Sequence, residues 1–127
     1  MEEGEMTLLF DSSAIFEAIK LGNKAVDLVK GNYTVDLARY ELGNIIWKYR
    51  GRADVDDLFS AVSRLLSWME VIELGLDKEV LDEAVKRNLT YYDATYLVAA
   101  RRLNATLVSE DKDLIREGAV RLKDVMV

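Results

Sequence analysis

Thr7-Leu8-Leu9-Phe10-Asp11-Ser12-Ser13 decides the fold: a β-branched and apolar run, then at once an acid and two hydroxyls. Such a run is too short for a helix and reads as a buried strand, while Asp and Ser are residues that start helices. The same grammar returns near the other end, in Thr106-Leu107-Val108-Ser109-Glu110-Asp111. Between and after them, Tyr33–Val35, Val71–Leu74 and Val120–Leu122 complete the strand candidates. Longer helical stretches separate these runs: Ser13–Lys20, Asn23–Lys30, Leu37–Arg50, Asp54–Glu70, Asp77–Arg87 and Tyr92–Leu103, with a short Asp111–Glu117 stopping at Gly118. Strands alternating with helices predict one α/β domain, a parallel sheet with helices on both faces.

Two helical stripes carry apolar residues at helical spacing: Leu58, Val62, Leu65, Leu66 and Met69, and Val80, Leu81, Ala84 and Val85. They are expected in the core or in a subunit contact, and Trp47 and Trp68 with them. Of the 127 residues, residues 1–5 read as a disordered acidic tail and 6–127 as the domain. No apolar run is long enough for a membrane span, and the N-terminus lacks the features of a signal peptide, so the cytoplasm is the expected compartment.

Absence narrows the chemistry. The chain has no cysteine and no histidine. Disulfides, thiolate catalysis, imidazole bases and nearly every zinc site are thereby excluded. Carboxylates, hydroxyls, lysine or a metal held by oxygen remain. The formal net charge of −6 argues against simple electrostatic binding of nucleic acid. Basic residues are nevertheless bunched at Lys48, Arg50 and Arg52, at Lys86 and Arg87, and at Arg101 and Arg102, where they also suit helix C-termini.

Four acids fall where this architecture has its functional edge. Ligands of open α/β sheets bind beyond the carboxyl ends of the strands. Asp11 and Asp111 follow strands, while Asp93 and Glu41 lie near the starts of helices that begin on that same edge. Carboxylates brought together repel unless a cation sits among them, and oxygen-only clusters favour Mg²⁺ or Mn²⁺. Each acid also has a plainer reading. Asp11 and Asp111 are acceptable helix caps, and Thr90-Tyr91-Tyr92-Asp93 has the form of a capping box. Glu41 has Leu37 and Ile45 one turn away and no basic residue at i±3 or i±4, so it needs a metal or a distant arginine. Asn44 adds a second polar group to that face. Ser13 and Ser109 either cap helices or hold the carboxylates.

These residues carry a resemblance. Leu8-Leu9-Phe10-Asp11-Ser12-Ser13-Ala14-Ile15-Phe16 is similar to the opening strand and D-x-S turn of PIN-domain nucleases. Glu41-Leu42-Gly43-Asn44 resembles their E-x-x-N helix, and Tyr92-Asp93-Ala94-Thr95-Tyr96-Leu97-Val98-Ala99-Ala100 their Y-D-A-x-Y-x-x-A-A helix. Leu107-Val108-Ser109-Glu110-Asp111-Lys112-Asp113-Leu114 resembles their L-[VL]-[TS]-x-D-x-x-L segment. The four stand in family order and span nearly the whole chain, and the subgroup most like it is the VapC toxins of toxin–antitoxin pairs. That resemblance implies a PIN-like three-layer sandwich with a five-stranded parallel sheet in order 3-2-1-4-5. It implies Mg²⁺- or Mn²⁺-dependent cleavage of RNA, with Asp11, Glu41, Asp93 and Asp111 as catalytic metal ligands and Ser13, Asn44 and Ser109 in support. A homodimer and inhibition by a VapB-type antitoxin follow from the same likeness. Ser109 departs from the commoner Thr but keeps the hydroxyl.

Two other functions compete. A dehalogenase-type phosphatase wants D-x-D after its first strand, where this chain has Asp11-Ser12-Ser13, and a response receiver wants adjacent acids and a strand-ending lysine, neither of which is evident. A catalytically silent PIN-like interaction module keeps the same acids without the chemistry.

Overall fold

A computed structural model describes residues 6–126; the expected tail at 1–5 and Val127 lie outside the described residues. The chain alternates as the pattern requires: β1 (Leu8–Phe10), α1 (Ser12–Leu21), α2 (Asn23–Val29), β2 (Tyr33–Val35), α3 (Leu37–Lys48), α4 (Val55–Ser67), β3 (Glu70–Ile72), α5 (Lys78–Arg87), α6 (Tyr91–Leu103), β4 (Thr106–Val108), α7 (Lys112–Arg116) and α8 (Leu122–Val125). The strands form one parallel sheet in the order β3-β2-β1-β4. The topology reverses at β1, and the edge beyond its carboxyl end receives Asp11.

Three-residue strands are held by what they bury. Leu9 and Phe10 are fully enclosed, and each such side chain contributes about 1.5–3 kcal/mol by leaving water. Side chains extend the short ladders: Asn32 Oδ1 accepts the Leu8 N–H at 3.1 Å, and the buried Thr34 hydroxyl donates to the Phe10 carbonyl at 2.7 Å. Helices α1, α2, α3 and α4 pack into one group, and α5 and α6 pair as another. The main core runs from β1 through α1, α3 and α4, and a smaller one lies between α5 and α6, around Val80, Ala84, Ala94 and Val98. Gly22, at φ 97°, lets α1 stop and α2 restart at a new angle, a backbone state side chains resist.

The expected fifth strand, Val120–Leu122, is reduced to a single parallel bridge between Val120 and Val108. It lies beside β4, as the order 3-2-1-4-5 requires, held by the bonds Ser109 N–H to Val120 O and Val120 N–H to Leu107 O, each 2.9 Å. The ladder goes no further because Glu110 Oε2 takes the Leu122 N–H at 2.9 Å and α8 begins there. Other expectations are corrected by exposure. Of the second apolar stripe, Val80 and Ala84 are buried, while Leu81 and Val85 face solvent, Val85 being 76% exposed. Trp47 and Trp68 are surface residues, each with a cation over its ring, Arg50 at 3.8 Å and Lys30 at 4.2 Å. No helix among the described residues is long and apolar enough to cross a membrane.

Candidate functional site

Asp11 leaves β1 and caps α1, accepting the Ala14 N–H at 2.9 Å on Oδ1. Capping does not exhaust it. Ser13 Oγ donates to the same oxygen at 2.7 Å, and Ser109 Oγ, at the end of β4, donates to Oδ2 at 2.5 Å. Only 4% of the residue is exposed. Burial pushes its carboxyl up to about 6 and the charge of Glu41 adds to this, against the three hydrogen bonds, which favour the anion. Ser13 also accepts the Glu110 N–H and Ser109 the Asp111 N–H, each at 2.9 Å, so both hydroxyls tie the start of α1 to the turn after β4.

Glu41 sits at the edge of the buried line Ala38, Leu42 and Ile46 of α3. The distant arginine allowed for from sequence is absent: Glu41 makes no ion pair among the described residues. Its Oε1 instead accepts from Ser12 Oγ at 3.1 Å and from Tyr96 OH at 2.6 Å. Burial, then the charge on Glu41, raises the Tyr96 phenol far beyond its ordinary range, so it stays a donor. Both bonds fall on one oxygen, which leaves Oε2 open to solvent.

Asp93 occupies the first turn of α6. Half of the expected capping box forms: Thr90 Oγ1 accepts the Asp93 N–H at 3.0 Å. The Asp93 carboxylate makes no return bond among the described residues and joins other acids instead. One oxygen each from Asp93, Asp111 and Asp113 lies within 4.8 Å of the others. Asp111 caps α7, accepting the Asp113 N–H at a long 3.4 Å. Burial and then the negative charge of Asp111 push the Asp93 carboxyl up to about 7, with smaller pushes from Glu41 and Asp11. That electrostatic link shows that acids from β1, α3, α6 and the turn after β4 share one site. Its tightest grouping is nevertheless Asp93–Asp111–Asp113, with Asp11 and Glu41 set deeper.

Sequence reasoning missed three participants. Asp113 read as a distraction from Asp111; its spacing of two residues across a helix start was the available signal. Ser12 and Tyr96 left weaker traces, since each meets Glu41 across a long stretch of chain. Asn44 is exposed and makes no side-chain hydrogen bond among the described residues; it lines an open cleft of about 660 Å³ beside Glu41 and Ser12.

Comparison with known proteins agrees with this geometry. The PIN domain family model matches residues 8–119. Two relatives from Pyrobaculum aerophilum are similar along most of their lengths. One, named exonuclease VapC9, is 32% identical over 94% of this chain and 92% of its own. The other, named ribonuclease VapC3, is 30% identical over 86% of this chain and 92% of its own. The crystal structure of PAE2754 from the same organism superposes with a TM-score of 0.86 at 30% identity, covering 95% of this chain and 87% of that one. An Asp-led parallel sheet, acids meeting at its carboxyl edge, and likeness over nearly the whole length place this chain in the PIN-domain family, among its VapC-type nucleases.

Proposed function

We propose that this protein is a divalent-metal-dependent endoribonuclease that hydrolyses RNA phosphodiesters as the toxin of a toxin–antitoxin pair. One observation carries the reading: four acids from remote parts of the chain share a site, and none of them is paired with a cation among the described residues. A donor set made only of oxygens suits hard ions, Mg²⁺ or Mn²⁺. A carboxyl pushed to about 7 by its neighbours is what such a set does while its charge is uncompensated.

Asp93 and Asp111, with Asp113 beside them, and Asp11 below, are the residues that would hold the ion; Glu41 ligates or orients water. Such an ion, when bound, supplies Lewis acidity toward the phosphate and a water of lowered pKa. The chain's own part is positioning. Ser13, Ser109 and the Ala14 N–H fix both oxygens of Asp11. Ser12 and Tyr96 hold Glu41 by one oxygen, so Oε2 is available to accept from the attacking water. Asn44 stands at the mouth and offers its amide to the substrate. No histidine is present to take the proton, so a carboxylate must.

The resemblance to proteins named VapC extends the proposal to a VapB-type antitoxin as inhibitor, a homodimer as the working form and the cytoplasm as the compartment. Cleavage of single-stranded RNA by the purified protein, with Mn²⁺ and with EDTA, tests the core of it. Cleavage that persists unchanged in EDTA, or in Asp93→Asn, sinks the metal-dependent reading.

A further inference from the structure

Each of two exposed tyrosines immediately precedes an acid of the site. Tyr40 stands before Glu41 on α3, and Tyr92 before Asp93 at the start of α6. Tyr40 is 72% exposed and Tyr92 59%. A large aromatic ring left in water gives up burial worth about 1.5–3 kcal/mol, so two side by side call for an explanation. Both line the 660 Å³ cleft that Glu41, Ser12 and Asn44 also line, and both line the smaller adjoining cavity of about 190 Å³. The larger volume falls within the range of small-ligand sites. Along α3, Tyr40, Asn44 and Lys48 follow at i, i+4 and i+8, which puts them in one row on the helix surface. Lys48 is exposed and makes no ion pair among the described residues. Beyond it the row reaches Trp47, with Arg50 stacked over its ring.

We infer that this cleft seats an unpaired base of the substrate strand next to the bond to be cut, stacked on Tyr40 and Tyr92, with the neighbouring phosphate on Lys48. The inference rests on the nuclease reading and adds the class of substrate: single-stranded rather than duplex nucleic acid. The aromatic faces supply the reason. Every base offers a π-face, but in a duplex both faces are covered by neighbours, so only a splayed base can stack on a side chain. The arrangement of one cation among aromatics and one amide, continuous with the acids, fits base and phosphate together and gives no edge-by-edge code for a particular sequence.

The test compares Tyr40→Ala, Tyr92→Ala, Tyr40→Phe and Tyr92→Phe with the wild type. Cleavage of a short single-stranded RNA is followed in Mn²⁺, and binding of the same fluorescent strand, alone or annealed to its complement, in Ca²⁺. Stacking is worth about 1–3 kcal/mol per base, so each alanine should raise KM and the single-strand Kd about fivefold to a hundredfold. Binding of this kind is felt equally in ground and transition states, so kcat should stay within about twofold. The phenylalanine variants should keep wild-type KM, and Phe59→Ala, in the separate groove between α3 and α4, should change nothing. On the wild type itself, 2-aminopurine within the bound strand should be quenched. Alanine variants with unchanged KM and Kd, or a wild type that binds and cuts duplex as well as single strand, overturn the inference. If cleavage proves independent of metal while the tyrosine-dependent preference for single strands holds, the nuclease mechanism fails and the base subsite stands.

Discussion

The same carboxylates live opposite lives at two places in this molecule. Between α5 and α6 every acid has its arginine. Glu83 accepts from Arg87 at 2.6 Å and from Arg101 at 3.0 Å, and Arg87 reaches on to Glu117 at 2.7 Å. Arg102 holds Asp77 at 2.9 Å and Glu79 at 2.8 Å. These partners draw the Glu83 carboxyl down to about 2. At the sheet edge, burial and like-charged neighbours drive Asp93 up to about 7 and Asp11 to about 6. Balanced charge fastens two helices, whereas unbalanced charge makes a place for something cationic. The acidic net charge is thus no guide to either region, since what matters is which acids have been left without a partner.

The hardest blow to this contrast is delivered at the unbalanced end. Asp93→Asn and Asp11→Asn should each lower RNA cleavage by more than about a hundredfold, since even the supporting partners of metal ligands are worth about ten- to a hundredfold. The metal-free Asp93→Asn protein should melt higher than the wild type, because a repelling charge has gone. A metal-free melting temperature that falls would contradict the account of strain.

Ser109→Ala and Tyr96→Phe take away one hydroxyl each and should cost about tenfold to a hundredfold in rate. Steady-state kinetics should show the loss in kcat. A loss confined to KM would mean that these hydroxyls serve binding, not the geometry of Asp11 and Glu41.

Calorimetry with and without Mn²⁺ gauges the charge imbalance directly. At a hundredfold excess over Kd, binding to the folded state alone adds about 2.7 kcal/mol, a rise of several degrees in Tm. Asp93→Asn should lose most of that rise, and Glu83→Gln none of it.

pH separates the two regions by sign. Asp11 and Asp93 have folded values above the ordinary 3.8, so the metal-free folded protein binds more protons than the unfolded chain. Their contribution is complete below pH 3.8 and disappears as pH rises through 6 to 7, Asp11 alone accounting for about 3 kcal/mol. Glu83 behaves in reverse: its contribution is present above pH 4.5 and fades as pH falls toward 2. A denaturation series in EDTA should show the first loss between pH 5 and 8 and the second only in acid. The smallest effect expected is that of Glu83→Gln near neutral pH, a slight lowering of Tm that high salt erases, with cleavage unchanged.

Much of the fold was legible because alternating short apolar runs and amphipathic helices have few ways to pack. The turn after β1 and the turn after β4 declared themselves through an acid and a hydroxyl each. The fifth strand was misjudged because one side chain, Glu110, takes the N–H that a longer ladder would have used. Leu81 and Val85 showed a helical period, but a period states which face is apolar and not how far a neighbour covers it. Within the site, Asp11, Glu41, Asp93 and Asp111 were visible, whereas Ser12 and Tyr96 had no local mark of their tie to Glu41, 29 and 55 residues away.

The sequence by itself determined the alternation of strand and helix, the exclusion of imidazole and thiolate chemistry, and the four acids at element ends, because period, composition and caps are local properties. Tertiary structure alone decided that Asp113 stands with Asp93 and Asp111, that hydroxyls and not an arginine hold Glu41, and that Tyr40 and Tyr92 border one cleft. Charge balance and exposure are sums over neighbours in space, and neighbours in space are what a linear chain leaves unwritten.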